Sequence, residues 1–206
     1  MKKPLSIASA AILGVSAIML LIIPQYYESR INELRDENAD MTVAQREAQH
    51  YMILANSENE LAGLQRDHLD ILIRLNLENG ELQKKQAAIL NHHMQAALHS
   101  LNASAAAKVV TADESDEVAK RLAALSDLKQ IDAFYLKYFA LAANGTISLD
   151  ERESSNTRKV NRLTVTKNVL WHIAVFLQLA AFVLAILVIG SEGAPRRKAK
   201  QAQHQL

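Results

Sequence analysis

The chain has 206 residues, of which 50% are hydrophobic, and its formal net charge is +1. It contains no cysteine, which excludes disulfide frameworks and thiolate metal sites. Aromatic residues make up only 5%, too few to build a thick globular core. Charge is unevenly distributed, because residues 28–167 are more acidic than basic while both ends are basic.

The first feature in chain order is an uncharged apolar stretch over residues 4–27. A helix of roughly 20 residues crosses the hydrocarbon core of a bilayer, so this stretch is long enough to span it. We expect a cytoplasmic N-terminus at 1–4 and a transmembrane helix at 5–24. A cleaved signal peptide is the alternative, but residues 22–27 offer no small-x-small cleavage site, which favours an uncleaved anchor.

The segment 25–167 is expected to be a helical domain outside the membrane. It has no proline after Pro24 and is rich in good helix formers. Two stripes with 3-4 spacing are typical of a coiled-coil-like seam. Seam 1 comprises Ile31, Leu34, Asn38, Met41, Gln45, Ala48, Met52 and Ala55. Seam 2, out of phase with seam 1, comprises Leu72, Leu75, Asn79, Leu82, Gln86 and Ile89.

Helix boundaries are predicted from capping signals. Ser-x-x-Glu or Thr-x-x-Glu capping boxes begin at Ser57, Thr111 and Ser148, and Asn144-Gly145 is typical of a left-handed helix end. These predict helices at about 28–106, 113–143 and from 148 into the second span. The first is expected to break near residue 57 or at Asn79-Gly80, if it breaks at all.

The fold class predicted is an all-α membrane protein. Two transmembrane helices flank either a long antiparallel helical hairpin, coiled-coil-like, or a four-helix bundle. Both ends of the exterior segment must return to one membrane face, so the number of traverses is even. The unequal helix lengths favour the hairpin, and the phase slip between the seams favours the bundle.

The second span is predicted at 168–190, followed by a basic tail at 191–206. Short basic flanks are retained in the cytoplasm, and Lys2 and Lys3 before the first span match the basic cluster after the second. We therefore expect both termini in the cytoplasm of a bacterial inner membrane and the central domain in the periplasm or outside the cell. Tail residues expected at the membrane interface are Arg196, Arg197 and Lys198.

Packing and interface residues are also predicted within the spans. Small residues at every fourth position let helices approach closely, and a buried amide such as Gln178 needs a helix partner. The predicted helix-packing residues are Ser6, Ala10, Gly14, Ala174, Gln178, Ala181 and Ala185. Tyr26, Tyr27 and Trp171 are predicted to lie at the outer boundary, where amphipathic rings are favoured.

No catalytic motif, cofactor site or metal site is predicted. The sequence contains no phosphate loop, nucleophile elbow or His-Glu-x-x-His pattern. Residues 144–151 resemble the second half of an EF-hand loop, but Ala140 and Ala142 stand where carboxylate ligands belong, which favours a simple turn. His92, His93 and His99 are expected to be solvated on a helix surface, because no ligand set accompanies them.

These patterns predict a non-enzymatic helical scaffold or interaction protein, anchored in the membrane. It would self-associate or bind a membrane protein partner outside the inner membrane, with the bilayer and not nucleic acid as its other partner. Two alternatives remain: a sensory input subunit with a periplasmic helical bundle, and an accessory subunit of a larger membrane complex.

Overall fold

The structure, a computed structural model, describes residues 2–75 and 79–203, with side chains for 7–75 and 80–189. This part of the chain is all-α, without a strand. Its four helices are α1 (Lys2–Arg74), α2 (Asn79–Ala106), α3 (Ala112–Ala123) and α4 (Leu128–Gln203). Pro24 lies inside α1.

The first helix boundary lies between Arg74 and Asn79, at one of the two predicted break points. The break predicted near Ser57 is wrong, because α1 continues through that residue. A serine followed by glutamate three residues later caps a helix only where the chain before it leaves the helical path. Seam 2 is therefore divided between two helices, and its members Leu75 and Gln86 are exposed.

The end of α2 is a reversal built around Lys108, which has a positive φ of 58°. The Val109 amide donates to the Ser104 carbonyl, and the Lys108 amide donates to the Ala105 carbonyl. This is the pattern of a Schellman helix end, in which the left-handed residue is usually glycine. Here a lysine occupies that position.

The turn predicted at Asn144-Gly145 and the helix start at Ser148 are wrong, because both lie inside α4. Gly145 is buried, and its role is to permit close packing rather than a turn. A Cβ atom there would come within 2.4 Å of Val109 Cγ2 and 2.8 Å of Ala107 Cβ. The α2 reversal therefore packs directly on the α4 backbone at this glycine.

The start of α3 is the predicted capping box. Thr111 is the N-cap, its side chain accepts from the Glu114 amide, and the Glu114 carboxylate accepts from the Thr111 amide. These backbone and side-chain hydrogen bonds lower the pKa of Glu114. The helix then ends at Ala123, far short of the predicted residue 143. Asp127 starts α4 instead, because its carboxylate accepts from the Lys129 amide.

The chain divides into two compact units. Unit 1 comprises residues 1–35 and 157–206, and unit 2 comprises residues 36–156. The core of unit 2 draws on all four helices and on small side chains as much as large ones. Its buried cluster consists of Ala55, Ala96, Ala97, Leu122, Ile131 and Tyr135.

Small residues also fill the remaining buried face of α2. Ser100 and Ser104 are fully buried, and each hydroxyl donates to a carbonyl three residues earlier in the same helix. The serines thus satisfy their own hydrogen-bonding capacity and behave as small packing residues. Leu101 and Ala103 between them are also fully buried.

Most of seam 1 is buried within the chain, since five of its eight members are buried: Ile31, Leu34, Met41, Ala48 and Ala55. In unit 2, the seam residue Met41 and its neighbour Ala44 pack on Leu149 of α4. Further along α1, Asn56 accepts a hydrogen bond of 2.9 Å from the hydroxyl of Tyr135, nearer the start of α4. Successive α1 residues thus meet earlier and earlier α4 residues.

Unit 1 contains the two apolar segments. By length and composition, α1 and α4 each carry a stretch able to cross a membrane. Within this unit Ser16, Ala174 and Ala181 are fully buried, while large apolar residues such as Phe176 and Ile7 are about 70% exposed. The Ser16 hydroxyl donates to the Leu13 carbonyl, so its burial leaves no unpaired donor.

Candidate functional site

The candidate site is a polar cluster in unit 2 around His92 and His93. His93 shares a face of α2 with Ile89, four residues earlier, and with Ala96 and Ala97, three and four residues later. All three of these neighbours are buried. The helix therefore directs His93 into the core, while His92, one residue earlier, lies at its edge.

His93 is held between opposite charges from two other helices. Its Nδ1 lies 2.7 Å from Oδ1 of Asp132 on α4. Its Nε2 lies 3.2 Å from Nη2 of Arg66 on α1. A guanidinium only donates, so Nε2 accepts from Arg66 and Nδ1 donates to Asp132. This arrangement requires a neutral imidazole with its proton on Nδ1.

The electrostatics of His93 agree with that assignment. Burial lowers the pKa of His93 below its usual value of 6.5, the Asp132 carboxylate partly offsets this, and Arg66 and His92 lower it further. The dominant cause is desolvation, which disfavours the imidazolium form. His93 is therefore neutral at physiological pH.

His92 forms a second, more exposed pair. Its Nδ1 lies 2.6 Å from Glu58 Oε2, and both side chains are about one-quarter exposed. Lys85 donates to Gln65 at 2.8 Å further along the same two helices. These contacts fix the register of α2 on α1, because each polar side chain reaches only one partner.

A groove of about 290 Å³ opens beside His93. Its walls are formed by Asn59, Gly63, Arg66, His93, Asp132, Tyr135 and Leu136. A Cβ atom added to Gly63 would meet nothing within 4 Å, so the groove is open at that point. Burial raises the pKa of the Tyr135 hydroxyl, with Glu60 adding to the effect, so the hydroxyl remains protonated.

The cluster offers charges and hydrogen bonds, and its one aromatic hydroxyl, that of Tyr135, donates to Asn56. Within the described residues, no group of three or more histidine, cysteine or acidic side chains could hold a metal ion. What the geometry provides is a guanidinium and a carboxylate in fixed positions on either side of one imidazole.

The predicted helix-packing residues divide into two groups. In the second span Ala174 and Ala181 are fully buried, and Gln178 and Ala185 are half-buried on the same side. In the first span Ala10 and Gly14 are exposed within this chain, so the prediction that another helix packs on them stays a prediction. Ser9 and Ser16 are buried instead, one helical face away. The side chain of Ser6 lies outside the described residues.

The predicted interface aromatics lie where the apolar segments of unit 1 meet charged residues. Tyr26 is 68% exposed and Trp171 43% exposed, and Tyr27 packs edge-on against Tyr26. Nearby, Lys167 donates to Glu28 at 3.3 Å, joining the ends of the two apolar segments. The side chains of Arg196, Arg197 and Lys198 lie outside the described residues.

The prediction of solvated surface histidines is wrong for all three. His93 is buried, His92 is paired with Glu58, and His99 stacks on Tyr51 with ring centroids 6.3 Å apart. The sequence carried a signal for His93, since it lies in phase with Ile89 and Ala96. Its partners Arg66 and Asp132 lie 27 and 39 residues away, beyond the reach of any local pattern.

No protein-family model, curated protein or solved structure matches this chain.

Proposed function

We propose that this chain is a non-enzymatic membrane-anchored helical protein that pairs with a second copy of itself through α1. The observation that carries the proposal is an exposed apolar face on α1 in unit 2. Ile53, Leu64 and Ile71 of α1 are each more than half exposed, as is Leu75, which directly follows α1 and whose amide still donates to the Ile71 carbonyl. Their spacing of 11, 7 and 4 residues places them on one side of a helix. We refer to these four residues as the α1 face.

The anchor in this proposal is formed by the two apolar segments at 5–24 and 168–190. Large apolar side chains that point outward have a favourable environment in lipid and an unfavourable one in water. The basic flanks support an orientation with both termini in the cytoplasm of a bacterial inner membrane and the domain 25–167 outside. In this arrangement α1 and α4 form an antiparallel pair that leaves and re-enters the membrane.

A second copy is the partner that the α1 face fits best. Two copies anchored in the same bilayer have the same orientation, and a two-fold axis brings the same face of each into contact. The same surface of each copy then forms the interface. In the first span the exposed small residues Ala10 and Gly14 belong to the same helix, and they allow close approach of a neighbouring helix.

Disulfide crosslinking tests the pairing directly, because the natural chain has no cysteine. We expect Leu64→Cys, in native membranes under mild oxidation, to form a disulfide-linked dimer. Asp116→Cys is the matched control, since Asp116 is exposed on a different helix, α3. Dimer formed equally by both variants, or by neither, would exclude pairing through this face.

The same two variants test the topology. A membrane-impermeant maleimide added to intact cells should label Asp116→Cys if unit 2 is outside the cytoplasmic membrane. Cells opened by freeze-thaw provide the control for reactivity of the thiol. Labelling only after opening would place unit 2 in the cytoplasm and contradict the orientation, while leaving the crosslinking result valid.

A sensory input subunit is the second candidate. The position of His93 between Arg66 and Asp132 favours it, because these three side chains line an open groove that a small molecule can enter.

A further inference from the structure

The groove beside His93 has two walls of opposite charge and a third that is apolar. Arg66 provides the positive wall, Asp132 the negative wall, and Tyr135 and Leu136 the apolar surface. Leu136 is 63% exposed and the Asp132 side chain 40% exposed. These side chains are accessible to a small molecule without any movement of the helices.

The two charges are not neutralised by the protein. Among the described residues, Arg66 has no carboxylate within ion-pair distance, and the side chain paired with Asp132 is the neutral imidazole of His93. His93 is neutral, so it forms a hydrogen bond with each of the two charged side chains but cancels neither charge. The imidazole thus acts as a spacer that holds a guanidinium and a carboxylate apart.

We propose that this groove binds a small zwitterion with an apolar substituent, of the amino-acid type. Its carboxylate would accept from the unused N–H groups of Arg66, and its ammonium would donate to the free oxygen of Asp132. The substituent would lie on Tyr135 and Leu136. The proposal deepens the sensory candidate and rests on the fold of unit 2, independently of self-association.

The charge pattern selects against simpler ligands. An anion would pair with Arg66 but would be repelled by the Asp132 carboxylate. A cation would pair with Asp132 but would be repelled by Arg66. A zwitterion whose two charges are close together satisfies both walls at once. Because His93 fixes both walls in advance, binding costs little reorganisation of the protein.

Calorimetric titration of the full-length protein in detergent tests the proposal. The probe is L-leucine, with two matched controls that share its skeleton: 4-methylpentanoate, which lacks the ammonium, and 3-methylbutylamine, which lacks the carboxylate. We expect saturable binding of leucine and at least tenfold weaker binding of each control. L-Valine and L-methionine are titrated in parallel to cover substituents of other sizes.

Two variants locate the site. Gly63→Leu places a side chain in the open part of the groove, where nothing lies within 4 Å, and should abolish binding without loss of helicity. Arg66→Gln should weaken binding at least tenfold by removing the carboxylate's partner. Asp116→Asn, on exposed α3, is the control and should bind as the natural chain does.

The titration can fail while the crosslinking experiment succeeds, and the reverse. Absence of binding by all three amino acids at millimolar concentration would overturn the zwitterion site, whatever the crosslinking result. Equal binding of leucine and 4-methylpentanoate would also overturn it, since the negative wall would then have no role. Binding that survives Gly63→Leu in a folded protein would place the ligand elsewhere.

Discussion

The two units of this protein differ in where their large apolar residues lie. In unit 1 the fully buried positions are small, such as Ser16, Ala174 and Ala181, and most large side chains of the two apolar segments are exposed. In unit 2 the fully buried positions include the large residues Leu101 and Ile131 beside many small ones, and charged side chains are common among the exposed residues. The same helices α1 and α4 contribute to both patterns.

This contrast is what the proposed membrane anchor would require of one helix that passes through two surroundings. In water, burial of large apolar side chains drives packing. In lipid that driving force is absent between helices, so close approach of small residues and van der Waals contact take its place. The predictions below test whether each unit depends on the packing expected for its own surroundings.

The largest effect is expected at Gly145 in unit 2. Gly145→Ala should lower the free energy of unfolding by about 1–3 kcal/mol, because the new methyl group overlaps Ala107 and Val109. Gly63→Ala is the matched control: it has open space, and replacing glycine inside a helix should stabilise by roughly 0.5–1 kcal/mol. Thermal unfolding of the full-length protein, followed by circular dichroism, measures both.

Opposite signs for these two substitutions are the decisive result. If Gly145→Ala also stabilised the protein, the close approach of the α2 reversal to α4 would be contradicted.

The next largest effect on stability is expected in unit 1. Ala181→Leu should destabilise the packing of the two apolar segments by about 1–3 kcal/mol, since Ala181 is 0% exposed. Leu179→Ala, at a position 60% exposed, should change stability by less than about 0.5 kcal/mol in detergent. Resistance of the purified protein to unfolding in mixed detergent and SDS measures the difference.

An equal loss from both substitutions would show that unit 1 packs like a water-soluble core. The contrast between the two units would then be lost.

The capping box of α3 predicts a smaller effect. Thr111→Ala should cost about 1 kcal/mol, because it leaves the first amides of the helix without their acceptor. Ser148→Ala removes a hydroxyl from an otherwise similar Ser/Thr-x-x-Glu pattern, but inside α4, and should be neutral or slightly stabilising. Urea unfolding of both variants distinguishes a real cap from a chance motif.

The smallest expected effect is the pH dependence due to His93. Its pKa is lowered in the folded protein, so its contribution to stability is complete above its usual value of 6.5 and is lost as pH falls through the folded value. Asp132 faces it from α4 and limits the effect, while Arg66 from α1 and the neighbouring His92, itself paired with Glu58, complete its surroundings.

His93→Gln removes this titration. The melting temperature of the natural chain should therefore fall more between neutral and mildly acidic pH than that of the variant. Parallel falls for the two proteins would mean that protonation of His93 carries no cost in the folded state.

Local sequence patterns predicted some features of the fold and missed others for identifiable reasons. Thr111 was predicted correctly because a capping box satisfies backbone groups within four residues. The same pattern misled at Ser57 and Ser148, since packing along α1 and α4 keeps the backbone helical through both. At Gly145 the sequence pattern correctly drew attention to the glycine but predicted the wrong role for it. The glycine allows a close contact with residues almost 40 positions earlier and does not form a turn.

The candidate site was less accessible to sequence reasoning than the fold. The phase of His93 with Ile89 and Ala96 indicated a buried position, but nothing local identified Arg66 or Asp132 as partners. In the first span, the four-residue spacing of Ala10 and Gly14 predicts close helix packing, and both residues are exposed in this chain. The buried small residues there are Ser9 and Ser16, which that spacing did not include.

The sequence by itself determined that this chain is helical and that two of its segments are long and apolar enough to cross a bilayer. Those properties depend on composition and on spacings of three or four residues, which are local. The tertiary structure alone decided where α3 ends, why Gly145 is glycine, and which charges surround His93. Each of these depends on atoms brought together from distant parts of the chain, and no local pattern records such contacts.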